Sequence, residues 1–98
     1  MTKDALTWLQ RWFASHCDGD WEHSEGIQIG TLDNPGWEFT VDLRDTELTN
    51  RPFTNVKIER SEVDWVQACV RDGKFEAFGG PSNLTELIGI FRSWTEAL

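Results

Sequence analysis

Val66-Gln67-Ala68-Cys69-Val70-Arg71-Asp72-Gly73-Lys74-Phe75-Glu76-Ala77-Phe78-Gly79 is two alternating runs joined by Asp72-Gly73. Two-residue hairpin turns favour Asp-Gly because both central residues must take positive φ. Folding the chain there sets Val70 opposite Phe75, Ala68 opposite Ala77 and Val66 opposite Gly79. These pairs share one apolar face. The other face receives Cys69 with Glu76 and Gln67 with Phe78. Strand side chains alternate with a period of two, so a one-residue slip would exchange the faces, and burial of the apolar side fixes the register. The hairpin therefore needs something apolar laid over one side.

The chain supplies two covers, one at each end. After Gly79-Gly80-Pro81, the residues Leu84, Leu87, Ile88, Phe91, Trp94 and Leu98 fall at offsets of 3, 4, 7, 10 and 14, a helical stripe. Asn83 with Glu86 fits a capping box at its start. At the other end, Ala5, Leu9, Trp12 and His16 form one helical row over 4–16, and Leu6, Leu9 and Phe13 a second. Asp4 in the first turn and His16 in the last suit the helix dipole. Gly19 can take the left-handed conformation just beyond the end.

Three further strands lie between the first helix and the central hairpin. Ile27 and Ile29 alternate with Gln28 and Gly30. Trp37, Phe39, Val41 and Leu43 alternate with Glu38, Thr40, Asp42 and Arg44. Asp33-Asn34-Pro35-Gly36 joins these two as a slightly long hairpin loop, with Pro35-Gly36 suited to the centre of a type II turn. Residues 44–53 read as a connecting loop, and Val56 and Ile58, alternating with Lys57 and Glu59, as a short strand. The predicted fold is α+β: a five-stranded antiparallel sheet with the N- and C-terminal helices packed on one face, in the order α-β-β-β-β-β-α. Residues 1–98 form one domain, without repeats or low-complexity tracts.

Composition narrows the function classes. The chain has 98 residues, 39% of them apolar, and a net charge of -8. That charge repels a phosphate backbone or an anionic lipid surface, so neither nucleic acid nor membrane is an expected partner, while a basic protein fits. No apolar run approaches the roughly 20 residues that span a bilayer. Met1-Thr2-Lys3-Asp4 leads into no apolar signal core, and only Cys17 and Cys69 could pair, so a cytoplasmic location with free thiols is expected.

The densest chemistry lies in Cys17-Asp18-Gly19-Asp20-Trp21-Glu22-His23. Asp18, Asp20 and Glu22 alternate like the opening of a calcium loop. The sixth and twelfth places, which that loop fills with glycine and glutamate, hold His23 and Ile29. His16, Cys17, His23 and Cys69 match no common zinc spacing. No metal and no other cofactor is called for. Cys17 follows the negative end of a helix dipole and precedes three carboxylates, surroundings that disfavour a thiolate. It reads as a small buried hydrophobe rather than a nucleophile. No phosphate loop, Gly-x-Ser-x-Gly or His-Glu-x-x-His is present, and the 17 acidic residues leave a glycosidase-like carboxylate pair open without singling one out. Trp21, between Asp20 and Glu22, either plugs the end of the core or stands exposed as an interface anchor.

Trp8-Leu9-Gln10-x-Trp12, the Cys17–His23 run, Gly26-Ile27 and Thr31-Leu32-Asp33-Asn34-Pro35-Gly36-Trp37 together resemble the immunity protein 53 family of bacterial polymorphic toxin systems. Asp64-Trp65, Asp72-Gly73-Lys74-Phe75 and Gly79-Gly80-Pro81-x-Asn83-Leu84 extend the likeness over nearly the whole chain, with Phe13 where the family pattern has tyrosine. The resemblance implies a small cytoplasmic α+β protein that binds and neutralises a cognate toxin without catalysis. Many toxins of such systems attack nucleic acids, which makes a nuclease with a basic groove the expected partner. Asp18, Asp20, Glu22, Asp33 and Glu38, with Trp21 as central anchor, are the candidate contacts. Asp42 is expected to face solvent beside Glu38. The competing reading is a small thiol-dependent enzyme, sulfurtransferase-like or a hydrolase, centred on Cys17.

Overall fold

Asp72 and Gly73 both lie at positive φ, 55° and 76°, as their two-residue turn requires. The computed structural model describes residues 4–24 and 26–97. Along the chain come α1 (Ala5–His16), a single 3₁₀ turn (Trp21–His23), β1 (Ile27–Leu32), β2 (Gly36–Asp42), β3 (Val56–Glu59), β4 (Trp65–Arg71), β5 (Lys74–Gly79) and α2 (Leu84–Glu96). The β4–β5 register is the predicted one, from Val70 opposite Phe75 to Val66 opposite Gly79. All neighbours in the sheet are antiparallel and the order is β1-β2-β5-β4-β3.

That order makes the segment after β2 cross the fold to the far edge. Leu48 and Phe53 tie the crossing to the core, Leu48 with no exposed surface. Arg51 Nη1 donates to the carbonyls of Trp94 and Thr95 at 3.0 and 3.2 Å, covering helix-end acceptors that α2 leaves open. Trp94 Nε1 returns a bond to Pro52 O at 2.9 Å.

The core lies between the sheet and the helices. Phe39, Val41, Val66, Phe75 and Ala77 on the sheet are fully buried against Leu87 and Phe91 of α2. Val70 is half-buried. Trp8 and Trp12 of α1 place their rings 5.9 and 5.0 Å from Phe91. The Leu9–Trp12 row of α1 is buried as predicted, whereas Leu6 and Phe13 in the second row are exposed.

Several local expectations are corrected. Asp4 is the N-cap of α1 rather than part of its first turn; its carboxylate accepts from Leu6 N. Asn83 makes no capping bond. Its side-chain amide donates to Asp64 and Glu86, which Arg60 bridges, so these residues hold the 60–64 loop against the start of α2. The β1–β2 loop is not a type II turn, because Gly36 does not take the positive φ that such a turn needs. The Asn34–Pro35 peptide there is cis.

Candidate functional site

The run from Cys17 to Ser24 is built by its own carboxylates. Asp18 Oδ1 accepts the N–H groups of Asp20 and Trp21 at 2.9 and 3.0 Å. Glu22 accepts those of Asp18 and Gly19 at 2.9 and 2.8 Å. Gly19 sits at φ 96°, where a side chain would be strained. Donation from the backbone, led by Trp21 for Asp18 and by its own N–H for Glu22, holds both carboxyls below their ordinary values. These two acids make the turn; Asp20 is exposed and enters no ion pair among the described residues.

Trp21 is not an exposed anchor. It retains 4% of its surface, packs edge-on to Trp12 and donates Nε1–H to Asp42 O at 2.9 Å. Its indole plugs the end of the core and pins the turn to the end of β2. Asp42 is likewise not a solvent-facing carboxylate. Alternation turns it away from the core, but Arg44 and Ser24 cover it, leaving 2% exposed. Arg44 donates through Nε and Nη2 at 3.1 and 2.9 Å, and through its backbone N–H at 3.0 Å. Those bonds from the Arg44 side chain, ahead of the rest, hold Asp42 below its ordinary value despite burial.

This arrangement has a pH consequence. A carboxyl depressed in the folded chain contributes stability above its unfolded value of 3.8, and that contribution is lost as pH falls through the folded value. Asp42→Asn should therefore lower the melting temperature at neutral pH and shrink the loss seen on acidification. Melting curves from pH 7 to 2 check this; an unchanged acid limb would assign the linkage to other carboxyls.

Around Asp42 the fold gathers further acids. Asp20, Trp21, Ser24, Asp42, Arg44 and Asp45 line an open cleft of about 240 Å³. Leu43 N donates to Gly73 O at 2.9 Å, which brings the Asp72-Gly73 turn alongside. One end of the sheet thus carries Asp18, Asp20, Glu22, Asp42, Asp45 and Asp72, together with Arg44 on Asp42, Arg71 on Glu76, and Lys74 registered opposite Asp42. Asp33 and Glu38 do not join them. Asp33 follows the far end of β1, whose six residues at about 3.3 Å each set it about 20 Å away. Glu38 lies on the helix-free face of the sheet, paired with Gly30 and Phe78.

The surroundings of Cys17 give the thiol-dependent reading no support. Cys17 is exposed, not buried as the sequence implied, and its Sγ–H donates to Phe13 O at 3.3 Å. Desolvation and the Glu22 and Asp18 carboxylates push its pKa up. His23 points into solvent beside Glu22. Among the described residues no group of three or more His, Cys, Asp and Glu side chains could hold a metal ion. No helix among them is long and apolar enough to cross a membrane.

A family model described as immunity protein 53 matches residues 6–96. The chain belongs to the immunity protein 53 family. No curated protein and no solved structure matches it. In this immunity protein 53 chain, sequence reasoning missed Asp45 and Asp72 as members of the acidic end. Asp45 lies at φ 63°, a conformation aspartate tolerates in turns. An acidic residue there was legible as turn chemistry, but not its place beside Asp20. His16 was also missed as a tie: its ring stacks on Trp12 at 4.0 Å, and Nε2 meets Glu47 at 2.7 Å, fixing α1 to the crossing segment.

Proposed function

We propose that this protein binds and neutralises a cognate toxin without catalysis, presenting the acidic end of its sheet to a cationic surface of that toxin. Membership of the immunity protein 53 family supports the toxin as partner. The observation that carries the acidic end is that Asp20 and Asp45 line one cleft with Asp42 on an internally bonded frame, and that none of the ion pairs seen among the described residues includes Asp20, Asp45 or Asp72. Like charges held this close repel, and an approaching cation relieves the repulsion. A toxin that cleaves nucleic acid must hold phosphate in a basic groove, and carboxylates on a rigid turn can occupy that groove instead. Asp18 and Glu22 shape the surface and add charge. Trp21 supports it from behind. Asp33 and Glu38 lie outside it and serve only a toxin large enough to wrap the hairpin.

The test measures association with the cognate toxin from low to high salt. Steered association is fast and falls steeply with ionic strength. Asp20→Ala/Asp45→Ala should slow it by about tenfold at low salt and flatten the salt dependence, because rim charges act mainly on the on-rate. Asp20 and Asp45 are preferred to Glu22, whose removal would open the turn. Cys17→Ala should protect cells as well as wild type does. A salt-independent rate, or a double variant that binds like wild type, would place the interface elsewhere; loss of protection with Cys17→Ala would return the thiol enzyme.

A further inference from the structure

The face of the sheet that no helix covers has an aromatic centre. Phe78 and Trp65 are half-buried there, yet neither packs against the core cluster. Glu38 on β2 and Gln67 on β4 are registered on either side of Phe78, and Gly30 stands beyond Glu38. Thr40, two residues along β2 from Glu38, lies on the same face. Two open clefts flank Gln67. One of about 270 Å³ reaches Phe78, Cys69 and Glu76, and one of about 260 Å³ reaches Trp65.

The charges of this face are matched, with one exception. Lys57 meets Glu59 at 3.5 Å, Arg71 meets Glu76 at 2.9 Å and Arg44 meets Asp42 at 2.9 Å. Lys74 is engaged as well. Glu38 enters none of the ion pairs or side-chain hydrogen bonds seen among the described residues, and the side chains of Thr40 and Gln67 enter none of those hydrogen bonds. Gly30 leaves Glu38 room: a Cβ added there would lie 3.7 Å from Glu38 Oε1. A half-buried ring is thus bordered by an unmatched carboxylate, a hydroxyl and an amide. An aromatic centre inside a polar rim is the composition of a protein–protein interface.

We propose that this face is the second half of the toxin interface, with an arginine of the toxin laid across Phe78 to reach Glu38. The inference rests on the toxin as partner and extends its contact beyond the acidic end. Glu38 precedes Asp42 by four residues of one strand, about 13 Å at 3.3 Å each, so one partner surface spans both. Charge decides the occupant. The carboxylate without a counter-ion calls for a cation, which a basic toxin surface brings, whereas a second copy of net charge -8 is repelled. A guanidinium suits the place better than an ammonium. It is less hydrated, stacks on a ring and meets a carboxylate through two donors. Thr40 and Gln67 offer hydrogen bonds beside it.

Dissociation of the complex with the cognate toxin tests this. Phe78→Ala and Glu38→Gln should each speed dissociation by about tenfold or more, while association at low salt stays within about twofold of wild type. A desolvated contact acts on the off-rate, whereas the rim charges Asp20 and Asp45 act on the on-rate. Circular dichroism checks that each variant folds, and Glu38→Gln, which keeps the side chain's size, decides if Phe78→Ala does not. Cys69, in the cleft beside Phe78, reports on the unaltered face. In a Cys17→Ala chain, bound toxin should suppress its alkylation by iodoacetamide. Folded variants that release toxin like wild type, or a Cys69 alkylated as fast in the complex as in the free chain, overturn the proposal. The acidic end then stands alone if Asp20→Ala/Asp45→Ala still associates slowly. If that double variant associates like wild type while Phe78→Ala and Glu38→Gln dissociate faster, the acidic end fails and this face stands.

Discussion

Phe91→Ala should destabilise the chain by about 3–5 kcal/mol, the range for emptying a buried phenylalanine site. Phe91 has no exposed surface. Its ring lies 5.0 Å from Trp12, 5.1 Å from Phe75, 5.8 Å from Phe39 and 5.9 Å from Trp8. It is therefore where both helices and the sheet meet. Large rings fixed by other contacts cannot collapse into the vacancy, so the cavity persists and the cost lies toward the upper end. A domain of this length has about 5–15 kcal/mol in total, so the variant sits close to unfolding. Urea titration gives the measurement. A loss below about 1 kcal/mol would mean that the site refills, contrary to the packing described.

Gly36→Ala should be the most damaging of the glycine substitutions on the sheet. A Cβ at Gly36 would lie 2.3 Å from the Gly79 carbonyl oxygen, and the obstacle is backbone, which cannot rotate aside. Either β2 separates from β5 at the Trp37–Gly79 pair or the loop shifts. Overpacking of this kind costs roughly 1–3 kcal/mol. Gly89→Ala is the matched control. It lies inside α2 with nothing within 4 Å of the added carbon, so it should stabilise by about 0.5–1 kcal/mol through helix propensity alone. Melting both variants beside wild type should move the midpoint in opposite directions. A neutral Gly36→Ala would show that the strand end yields more easily than its contacts imply.

Gly36 also shows what a sequence can carry. Locally, Pro35-Gly36 reads as a turn because glycine permits positive φ. The glycine is instead required by a carbonyl on β5, forty-three positions along the chain, which no local reading detects. The same limit explains Trp21 and Asp42. Flanked by Asp20 and Glu22, Trp21 gives no periodic sign of burial; its docking depends on an acceptor at Asp42 and a ring at Trp12. Asp42 alternates correctly away from the core, yet Arg44 two residues on folds back over it. Cys17 fails in the other direction: free cysteine is commonly buried, but here the helix ends with its thiol turned outward.

The sequence by itself determined the elements, the β4–β5 register, the two helical covers and the family. Each of these follows from spacing within a short window: a period of two, a period of 3.6, an Asp-Gly turn, or a run of residues held in order. Tertiary structure alone decided the strand order, the crossing of 43–55 to the far edge and its anchoring by Leu48 and Arg51. It also decided which carboxylates stand together. Asp20, Asp45 and Asp72 are far apart in the chain and gather because the turn, the end of β2 and the central hairpin share one end of the sheet. Asp33 follows Glu22 by only eleven residues, but a strand is nearly fully extended, and its length carries Asp33 to the opposite end.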